Sequence, residues 1–400
     1  MRHTGCTEKL SKYCEEVKQF ERELEERHRQ QMRQEMGEYL EALDRRGSEE
    51  VIRRGGYESK GLRKRRILTG VGLVKVRVRC YQNRRGHRVY PLRDICGIGN
   101  ETERARERCV RMVVERSYGW SAKVLREEMG IELGRMRLWK IAQEEGRRVH
   151  QELEVLRRRV FEQAQESVEA NESKPVAIIE MDGTLLASRE PGEGDEYGRQ
   201  RMEVKLGVMF RGSKQISPRR RKTVQRTVYA RVADADAFGE RWYVHCRRAG
   251  LRSEEKVQVI ADGAGWIRTI RQAQFPGSRY TLDLYHLKRR ARTVLLEHQY
   301  RYFCRLVKTN LIEMALEYLD RLRPSDDCHR EALQQFRDYL QQNREGIHYG
   351  PGEVWGSGVM EKMADVVVGK RMKRQGMIWS RAGANNLLAL RSQYLNAIAA

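Results

Sequence analysis

Three acidic residues lie far apart in the chain, yet the context of each suits a ligand of one shared metal centre. Asp182 and Asp262 each follow an apolar run and precede a glycine, so each closes a predicted buried strand. Glu361 follows the small residues 356–358, which predict a helix start with Ser357 as the N-cap. Two Mg²⁺ ions about 3.5–4 Å apart need such a carboxylate cluster to act on a phosphodiester. These residues are therefore candidate ligands of a two-metal nuclease centre.

Simpler interpretations of the same residues stay open. An Asp-Gly pair also marks an ordinary turn after a strand, and most acidic side chains are solvated surface charges. Glu180 lies two residues before Asp182 and therefore points to the same side of the strand. It could share the metal, or it could face a solvated edge.

The charge of the chain indicates an acidic polymer as its partner. A formal net charge of +23 in 400 residues, with a pI near 9.9, is typical of proteins that neutralise the phosphates of nucleic acid. The sequence contains no run of roughly 20 apolar residues and no signal peptide pattern, so we expect no membrane contact and a cytoplasmic, nucleoid-associated protein. The eight cysteines lack any C-x-x-C spacing, which disfavours a zinc knuckle and a disulfide framework.

The N-terminal region, residues 1–60, is predicted to contain one long charged helix over 7–46. An apolar stripe at alternating spacings of three and four is typical of a helix that packs on a partner surface; it comprises Leu10, Tyr13, Val17, Phe20 and Leu24. The stripe breaks after Leu24 and resumes at Met32. That break favours packing within the chain over self-association as a short coiled coil.

Residues 61–150 are predicted to form a DNA-binding region with a β-ribbon and a helix-turn-helix. Val74, Val76 and Val78 alternate with basic residues, so one face of the strand is apolar and the other positive; a second strand is expected over 88–92. Helices over 121–129 and 134–145 have the proportions of a helix-turn-helix. An ordinary solvated sheet face would show the same basic residues as the β-ribbon, and a helix pair that binds nothing would show the same pattern as the helix-turn-helix. The candidate DNA-contacting residues here are Lys75, Arg77, Arg79, Arg135, Arg137 and Lys140.

A helical connector over 151–175 precedes an α/β region over 176–400. The expected elements are strands over 176–186, 202–210 and 223–232, then a helix, a strand, a helix and a strand ending near 284. Three strands in a row followed by helix–strand alternation is the element order of an RNase H-like fold, here with a helical insertion at about 287–350. Further candidate DNA contacts are Arg219, Arg220, Arg221, Lys222, Lys370, Arg371, Lys373 and Arg374.

Several short motifs of this region together resemble the DDE transposases of bacterial insertion sequences. The motifs are Glu180-Met181-Asp182-Gly183, residues 203–207, residues 261–266, residues 283–286 and Trp379-Ser380. The resemblance runs from about residue 64 to the C-terminus and is greatest to the Lre-like and Kra-like branch, which is related to mutator-type transposases.

The resemblance implies that Asp182, Asp262 and Glu361 are the catalytic triad and bind two Mg²⁺ or Mn²⁺ ions. It also implies that Asp283 and His286 lie beside the centre; a satisfied histidine near a helix start is the alternative for His286. The implied reaction is cleavage of transposon-end DNA followed by joining to target DNA, by a homo-oligomer on double-stranded DNA. A metal-dependent nuclease without strand transfer and a non-catalytic DNA-binding protein remain open alternatives.

Overall fold

The computed structural model describes residues 4–162, 176–190, 200–217, 220–253, 255–350, 356–374 and 376–399. The chain forms two compact units, residues 1–142 and 143–400. In the described part of the chain, no helix is both long and apolar enough to cross a bilayer.

The first unit is built on a long helix and a β-hairpin. Its elements are α1 (Thr4–Arg54), β1 (Tyr57–Thr69), β2 (Gly72–Asn83), β3 (Arg88–Val89), α2 (Pro91–Asp94), α3 (Glu103–Glu115), α4 (Tyr118–Met129) and α5 (Arg135–Glu162), which continues into the second unit. The predicted alternation in β2 is confirmed: Val74, Val76 and Val78 are buried against Leu40 of α1, while Lys75 is exposed.

Two expectations for this unit were wrong. The main partner of β2 is β1, which pairs with it antiparallel over its whole length, and the expected strand over 88–92 is only two residues long. In α1 the first part of the apolar stripe does not pack within the chain. Tyr13, Val17 and Phe20 are more than half exposed, whereas Leu40 is buried.

The two helices of the predicted helix-turn-helix are present as α4 and α5, joined by residues 130–134. The Ser117 hydroxyl caps the start of α4, and Gly130 ends it in the left-handed conformation at φ +61°. Arg135 and Lys140 are exposed on the second helix.

The second unit contains a mixed five-stranded sheet in an α/β arrangement. Its remaining strands and helices are β4 (Ala177–Ala187), β5 (Arg201–Phe210), β6 (Ser213–Ser217), β7 (Arg220–Thr223), β8 (Thr227–Arg231), α6 (Ala235–Arg248), β9 (Val257–Ala261), α7 (Gly265–Gln274), β10 (Arg279–Leu282), α8 (Leu284–Val294), α9 (Glu297–Lys308), α10 (Ile312–Asp320), α11 (Asp327–Gln342), α12 (Gly358–Ala364), α13 (Lys370–Met372) and α14 (Arg381–Ala399). The strand order is β10-β9-β4-β5-β8. β4, β9 and β10 are parallel, and β5 and β8 complete an antiparallel half.

Alternation along the strands divides the core of this unit between the two sheet faces. Ile178 and Ile260 belong to a cluster with Met360 of α12 and with α14. Ile179 and Val259 pack on the other face with Trp242 of α6 and with α7. Even-numbered residues of β4 therefore face the C-terminal helices.

The helical insertion has an apolar core of its own. Helices α8 to α11 bury Leu287, Phe303 and Phe336 together, as the amphipathic sequence predicts. The predicted strand over 223–232 is divided in the structure. Its first residue, Thr223, is the last residue of β7 in the ribbon β6–β7, and β8 begins at Thr227.

Candidate active site

Asp182, Asp262 and Asp283 lie level with one another on three adjacent parallel strands. Glu180 is paired with Ile260, so two residues further along, Asp182 lies opposite Asp262. Leu282 is paired with Ala261, so the next residue, Asp283, lies opposite Asp262 on its other side. The register thus brings three carboxylates together at the end of the sheet where the parallel strands have their carboxyl ends. Ligand sites of such sheets form at this end. Asp182 differs from expectation in one respect: it lies inside β4, not at its end.

Two of the acidic residues attach α12 to this edge. The Met360 N–H donates to Oε2 of Glu180 at 2.7 Å. The Ser357 N–H donates to Oδ2 of Asp283 at 2.6 Å, and the Ser357 hydroxyl donates to the same oxygen. Ser357 is the residue before α12, as predicted, but its side chain does not cap the helix. The carboxylates of the sheet satisfy these N–H groups instead.

Asp283 also caps α8, the first helix of the insertion. Its other carboxylate oxygen, Oδ1, accepts the N–H groups of Tyr285 and His286 at 2.6 and 3.2 Å, which makes it the N-cap of α8. With both oxygens engaged and 1% exposure, this side chain holds structure together. It is less suited to bind a metal than Asp182 or Asp262.

The carboxylates influence one another electrostatically. Burial raises the pKa of Asp182; the hydrogen bond from the Gly183 N–H opposes this shift, and the negative charge of Asp262 adds to it. Burial raises the pKa of Glu180 to about 8, the Met360 N–H opposes that, and Asp283 and Glu361 add to it. Glu180 is fully buried, and its Oε1 has no hydrogen-bond partner among the described residues. Burial and the neighbouring carboxylates therefore both favour the protonated, neutral form of Glu180.

Glu361 belongs to the same neighbourhood but faces solvent. It lies in the first turn of α12, one residue after the N–H that binds Glu180. α12 continues through a π-helical turn, Asp365–Gly369, into α13, and such turns are frequent at functional sites. No group of three His, Cys, Asp or Glu residues is arranged to hold a metal in the part of the chain that the structure describes.

The two glycines after the aspartates serve different purposes. Gly263 adopts φ +95°, and a Cβ there would lie 2.5 Å from the Tyr339 ring, so only glycine suits this position. The turn lets the Ala264 N–H donate to Oδ1 of Asp262 at 2.9 Å. Gly183 instead lies inside β4, where a Cβ would collide with the Glu203 carboxylate.

Lys373 lies close to Asp182, and the sequence did not predict this proximity. Its ammonium group donates to the Thr184 hydroxyl. Burial and the charge of Arg201 lower the Lys373 pKa, while Asp182 raises it. His286 is likewise close enough for its charge to lower the pKa of Asp182. Trp379 has a structural role, because it is buried and donates its Nε1–H to the Met372 carbonyl at 3.0 Å.

The basic residues singled out above whose side chains the structure describes fall into three groups. The exposed ones are Lys75, Arg77, Arg135, Lys140, Lys222, Lys370, Lys373 and Arg374. Arg79 and Arg137 are half-buried in ion pairs with Asp44 and Glu101. Arg371 is 1% exposed and lies over the Trp379 ring, so it is not part of the exposed basic surface. Arg219 and the side chains of Arg220 and Arg221 lie outside the described residues.

Comparison with known proteins gives one assignment. The chain is similar to a protein in a solved structure, the Drosophila P element transposase strand transfer complex, at 10% identity and a TM-score of 0.25, over 73% of this chain and 79% of that one. A likeness of that size carries no argument about fold or activity. A search of curated proteins found no match. Residues 11–400, nearly the whole chain, match the uncharacterised protein family UPF0236, and the chain belongs to that family.

Proposed function

We propose that this protein is a metal-dependent DDE transposase that cleaves the ends of an insertion sequence and joins them to target DNA. The observation that carries the proposal is that Asp182 and Asp262 lie opposite each other on adjacent parallel strands. The helix that contains Glu361 is attached beside them. In the sheet, β4, β5 and β8 are antiparallel neighbours, and β9 and β10 are added parallel to β4 on its other side. This strand order supports an RNase H-like fold.

The residues of the site suit a hard divalent cation. Every candidate ligand is a carboxylate, and such oxygens are the donors that Mg²⁺ and Mn²⁺ prefer. The charge of Asp262 adds to the rise in the Asp182 pKa that burial causes, and a bound divalent cation would offset that repulsion. Mg²⁺ is commonly bound by one or two carboxylates together with substrate phosphates. Asp182 and Asp262 would supply the first two oxygens, and Glu361 the third.

Divalent ions held by Asp182, Asp262 and Glu361 would supply Lewis acidity for attack on a phosphodiester. The chain itself supplies position and charge. The Gly183 and Ala264 N–H groups orient the Asp182 and Asp262 carboxylates. Lys373, beside Asp182, offers a cation to a non-bridging phosphate oxygen. No residue forms a covalent bond to DNA, so the reaction requires no Ser, Tyr or Cys nucleophile.

Charge and exposure support double-stranded DNA as the partner. The net charge of +23, the exposed Lys75 and Arg77 on β2, and Arg135 and Lys140 on α5 are suited to phosphate contacts. The exposed stripe of Tyr13, Val17 and Phe20 on α1 supports a homo-oligomer, because such a stripe is buried when helices associate.

The test is incubation of the protein with the DNA that flanks its gene, a supercoiled target plasmid and Mg²⁺. Covalent joining of end DNA to the plasmid is the expected result. Metal-dependent cleavage without joining would favour the nuclease, and binding without cleavage at any metal concentration would favour the DNA-binding protein. EDTA and the Asp182→Asn variant provide the controls.

A further inference from the structure

The β6–β7 ribbon extends from the hairpin that β5 and β8 form in the sheet. The Arg211 N–H donates to the Val224 carbonyl at 2.9 Å, and the Val224 N–H donates to the Gly212 carbonyl at 3.1 Å, so strand pairing continues from the hairpin into the ribbon. Among the described strands, β6 and β7 pair only with each other, and all five residues of β6 are exposed. A two-stranded ribbon is marginally stable by itself, so a partner that covers it would stabilise it.

The base of the ribbon is anchored to the rest of the second unit. The Arg211 side chain is 5% exposed. It donates to the Gly250 carbonyl at 3.2 Å and forms an ion pair with the Glu255 carboxylate. The ribbon therefore starts from a fixed point, although its own side chains face solvent.

The ribbon leaves the sheet at the end away from the candidate active site. β5 runs antiparallel to β4, with Leu206 opposite Asp182 and Phe210 opposite Ile178. The four residues from Leu206 to Phe210 span about 13 Å, and the ribbon begins only after them. Its side chains can therefore be changed without altering the carboxylates.

The charge of the ribbon is entirely positive. Residues 213–223 contain five Lys or Arg and no Asp or Glu. Lys214 and Lys222 are both exposed, and the register places them directly opposite each other. Like charges at such a cross-strand position destabilise an antiparallel pair. Lysine on an exposed edge also discourages pairing between copies, but that effect does not require two lysines opposite each other. Anions beside both ammonium groups would relieve the repulsion, and the phosphates of a nucleic acid are such anions.

One apolar side chain projects from the ribbon at a bulge. Gln215 lies opposite Arg221 and Ser217 opposite Arg220, so the register leaves Ile216 without a residue across from it. The Gln215 amide donates to the Ser217 carbonyl at 2.7 Å and closes the bulge. Ile216 is 55% exposed. Bulges redirect side chains, and an exposed isoleucine between cations is suited to the thymine methyl group, the apolar feature of the major groove.

We propose that the β6–β7 ribbon enters the major groove of double-stranded DNA, with Lys214 and Lys222 against phosphates and Ile216 against thymine methyl groups. The major groove of B-DNA is about 12 Å wide and admits a two-stranded ribbon, and this mode of reading DNA recurs among β-ribbon proteins. The inference rests on the double-stranded DNA partner of the proposed function, but it does not require cleavage.

The first test separates DNA contact from a structural role of the two lysines. The full chain is bound to a random-sequence DNA duplex across a salt series. Changing both Lys214 and Lys222 to Gln should reduce the slope of log affinity against log salt by about 1.8 units, near 0.9 for each lost contact. The melting temperature should stay the same or rise, because the substitutions remove like-charge repulsion.

The matched control changes two exposed arginines that each pair with an acidic neighbour. Arg321 pairs with Glu317 and Arg330 with Asp327, so changing both arginines to Gln should leave the slope as in wild type. An unchanged slope in the Lys214/Lys222 variant would overturn the proposal.

The second test concerns Ile216 and the groove. Alternating poly(dA-dT) and poly(dA-dU) duplexes differ by the thymine methyl group in the major groove. Wild type should bind the thymine duplex about two- to fivefold more tightly, which corresponds to one buried methyl group. Ile216→Ala should reduce this preference and leave affinity for the uracil duplex nearly unchanged. Leu296→Ala, at a residue of the insertion that is 60% exposed, is the control and should keep the preference.

Two outcomes would overturn the placement of Ile216 in the groove: equal binding of both duplexes by wild type, or a preference that Ile216→Ala leaves intact. Failure of DNA joining, with binding still dependent on Lys214, Lys222 and Ile216, would support the ribbon and contradict only the proposed transposase activity.

Discussion

Asp283 and Ser357 are 74 residues apart in the chain, and both the N–H and the hydroxyl of Ser357 donate to one oxygen of Asp283. Together with the Glu180–Met360 hydrogen bond, this contact fixes the start of the helix that carries Glu361. The acidic residues therefore divide into two groups. Asp283 and Glu180 hold the helix, and Asp182, Asp262 and Glu361, the residues proposed to be catalytic, take no part in this attachment.

The first prediction separates these two groups by stability. Asp283→Ala removes the acceptor of four hydrogen bonds, from Ser357, Tyr285 and His286, so it should lower the free energy of unfolding by about 3 kcal/mol or more. The measurement is urea denaturation followed by circular dichroism. Asp234→Ala, which removes an exposed N-cap of α6, is the control and should cost about 1 kcal/mol. Equal costs for the two variants would contradict the role of Asp283.

The second prediction concerns chemistry. Asp182→Asn, Asp262→Asn and Glu361→Gln keep side-chain shape but remove the charge that holds a cation, so single-turnover DNA cleavage should fall by about 10³-fold or more. DNA binding in a gel-shift assay should persist. A double variant should cost little more than one single variant, because the residues act as a unit. Asp236→Asn, an exposed change on α6, is the control; undiminished cleavage in any of the three would remove that residue from the catalytic set.

The third prediction concerns DNA binding by β2. Lys75 and Arg77 are exposed, so changing both to Gln should reduce the slope of log affinity against log salt by about 1.8 units, near 0.9 for each lost contact. Arg79 is different, because it pairs at 3.2 Å with Asp44, which is fully buried.

Arg79→Gln should therefore destabilise the fold by leaving the Asp44 charge without its partner. The measurements are filter binding across a salt series and thermal unfolding of each variant. An unchanged slope in the Lys75/Arg77 double variant would place this ribbon away from DNA.

The fourth prediction concerns pH. Burial lowers the pKa of His245 to about 4, and the charge of Arg248 adds to the shift. Between about pH 4 and pH 6.5 the unfolded chain binds this proton and the folded chain does not, so stability is fully present above pH 6.5 and declines as the pH falls through that window. The loss over the whole window should be about 3 kcal/mol.

Burial also lowers the pKa of His150 to about 4, so His245→Gln should reduce the dependence of unfolding free energy on pH over this range by the share of His245 alone. The same denaturation series at pH 4.5 to 7.5, in wild type and variant, measures the difference, while acid effects of carboxylates are common to both. Parallel pH profiles would show that His245 does not titrate on unfolding.

The sequence predicts those elements whose burial is visible as an apolar run or as alternation of apolar and polar residues. The apolar runs before Asp182 and Asp262 indicated β4 and β9, and the alternation of Val74, Val76 and Val78 indicated β2. β1 was missed because most of its residues are exposed on both faces, so it lacks an apolar period. The stripe of α1 predicted a partner surface, but periodicity does not tell whether that surface belongs to the same chain.

The site could be predicted in residue type but not in arrangement. Strand register, which sets Asp182 level with Asp262, depends on packing between distant segments and has no local signature. The same holds for the burial of Arg371 and for the hydrogen bond between Glu180 and α12. Glu180 was expected to share a metal or face solvent. In the structure it is fully buried and accepts from the Met360 N–H.

The contact between Asp283 and Ser357 has a consequence for how this protein can vary. The chain leaves the sheet at Asp283 and returns beside the same carboxylate at Ser357, and the insertion contacts the site once more through the Tyr339 hydroxyl, which donates to the Asp262 carbonyl at 2.7 Å. Closing a longer loop costs only about 0.6 kcal/mol for each doubling of its length, and insertions are tolerated where the ends of a segment meet. The parts of the insertion away from Tyr339 can therefore be enlarged or trimmed while the geometry around Glu361 is preserved.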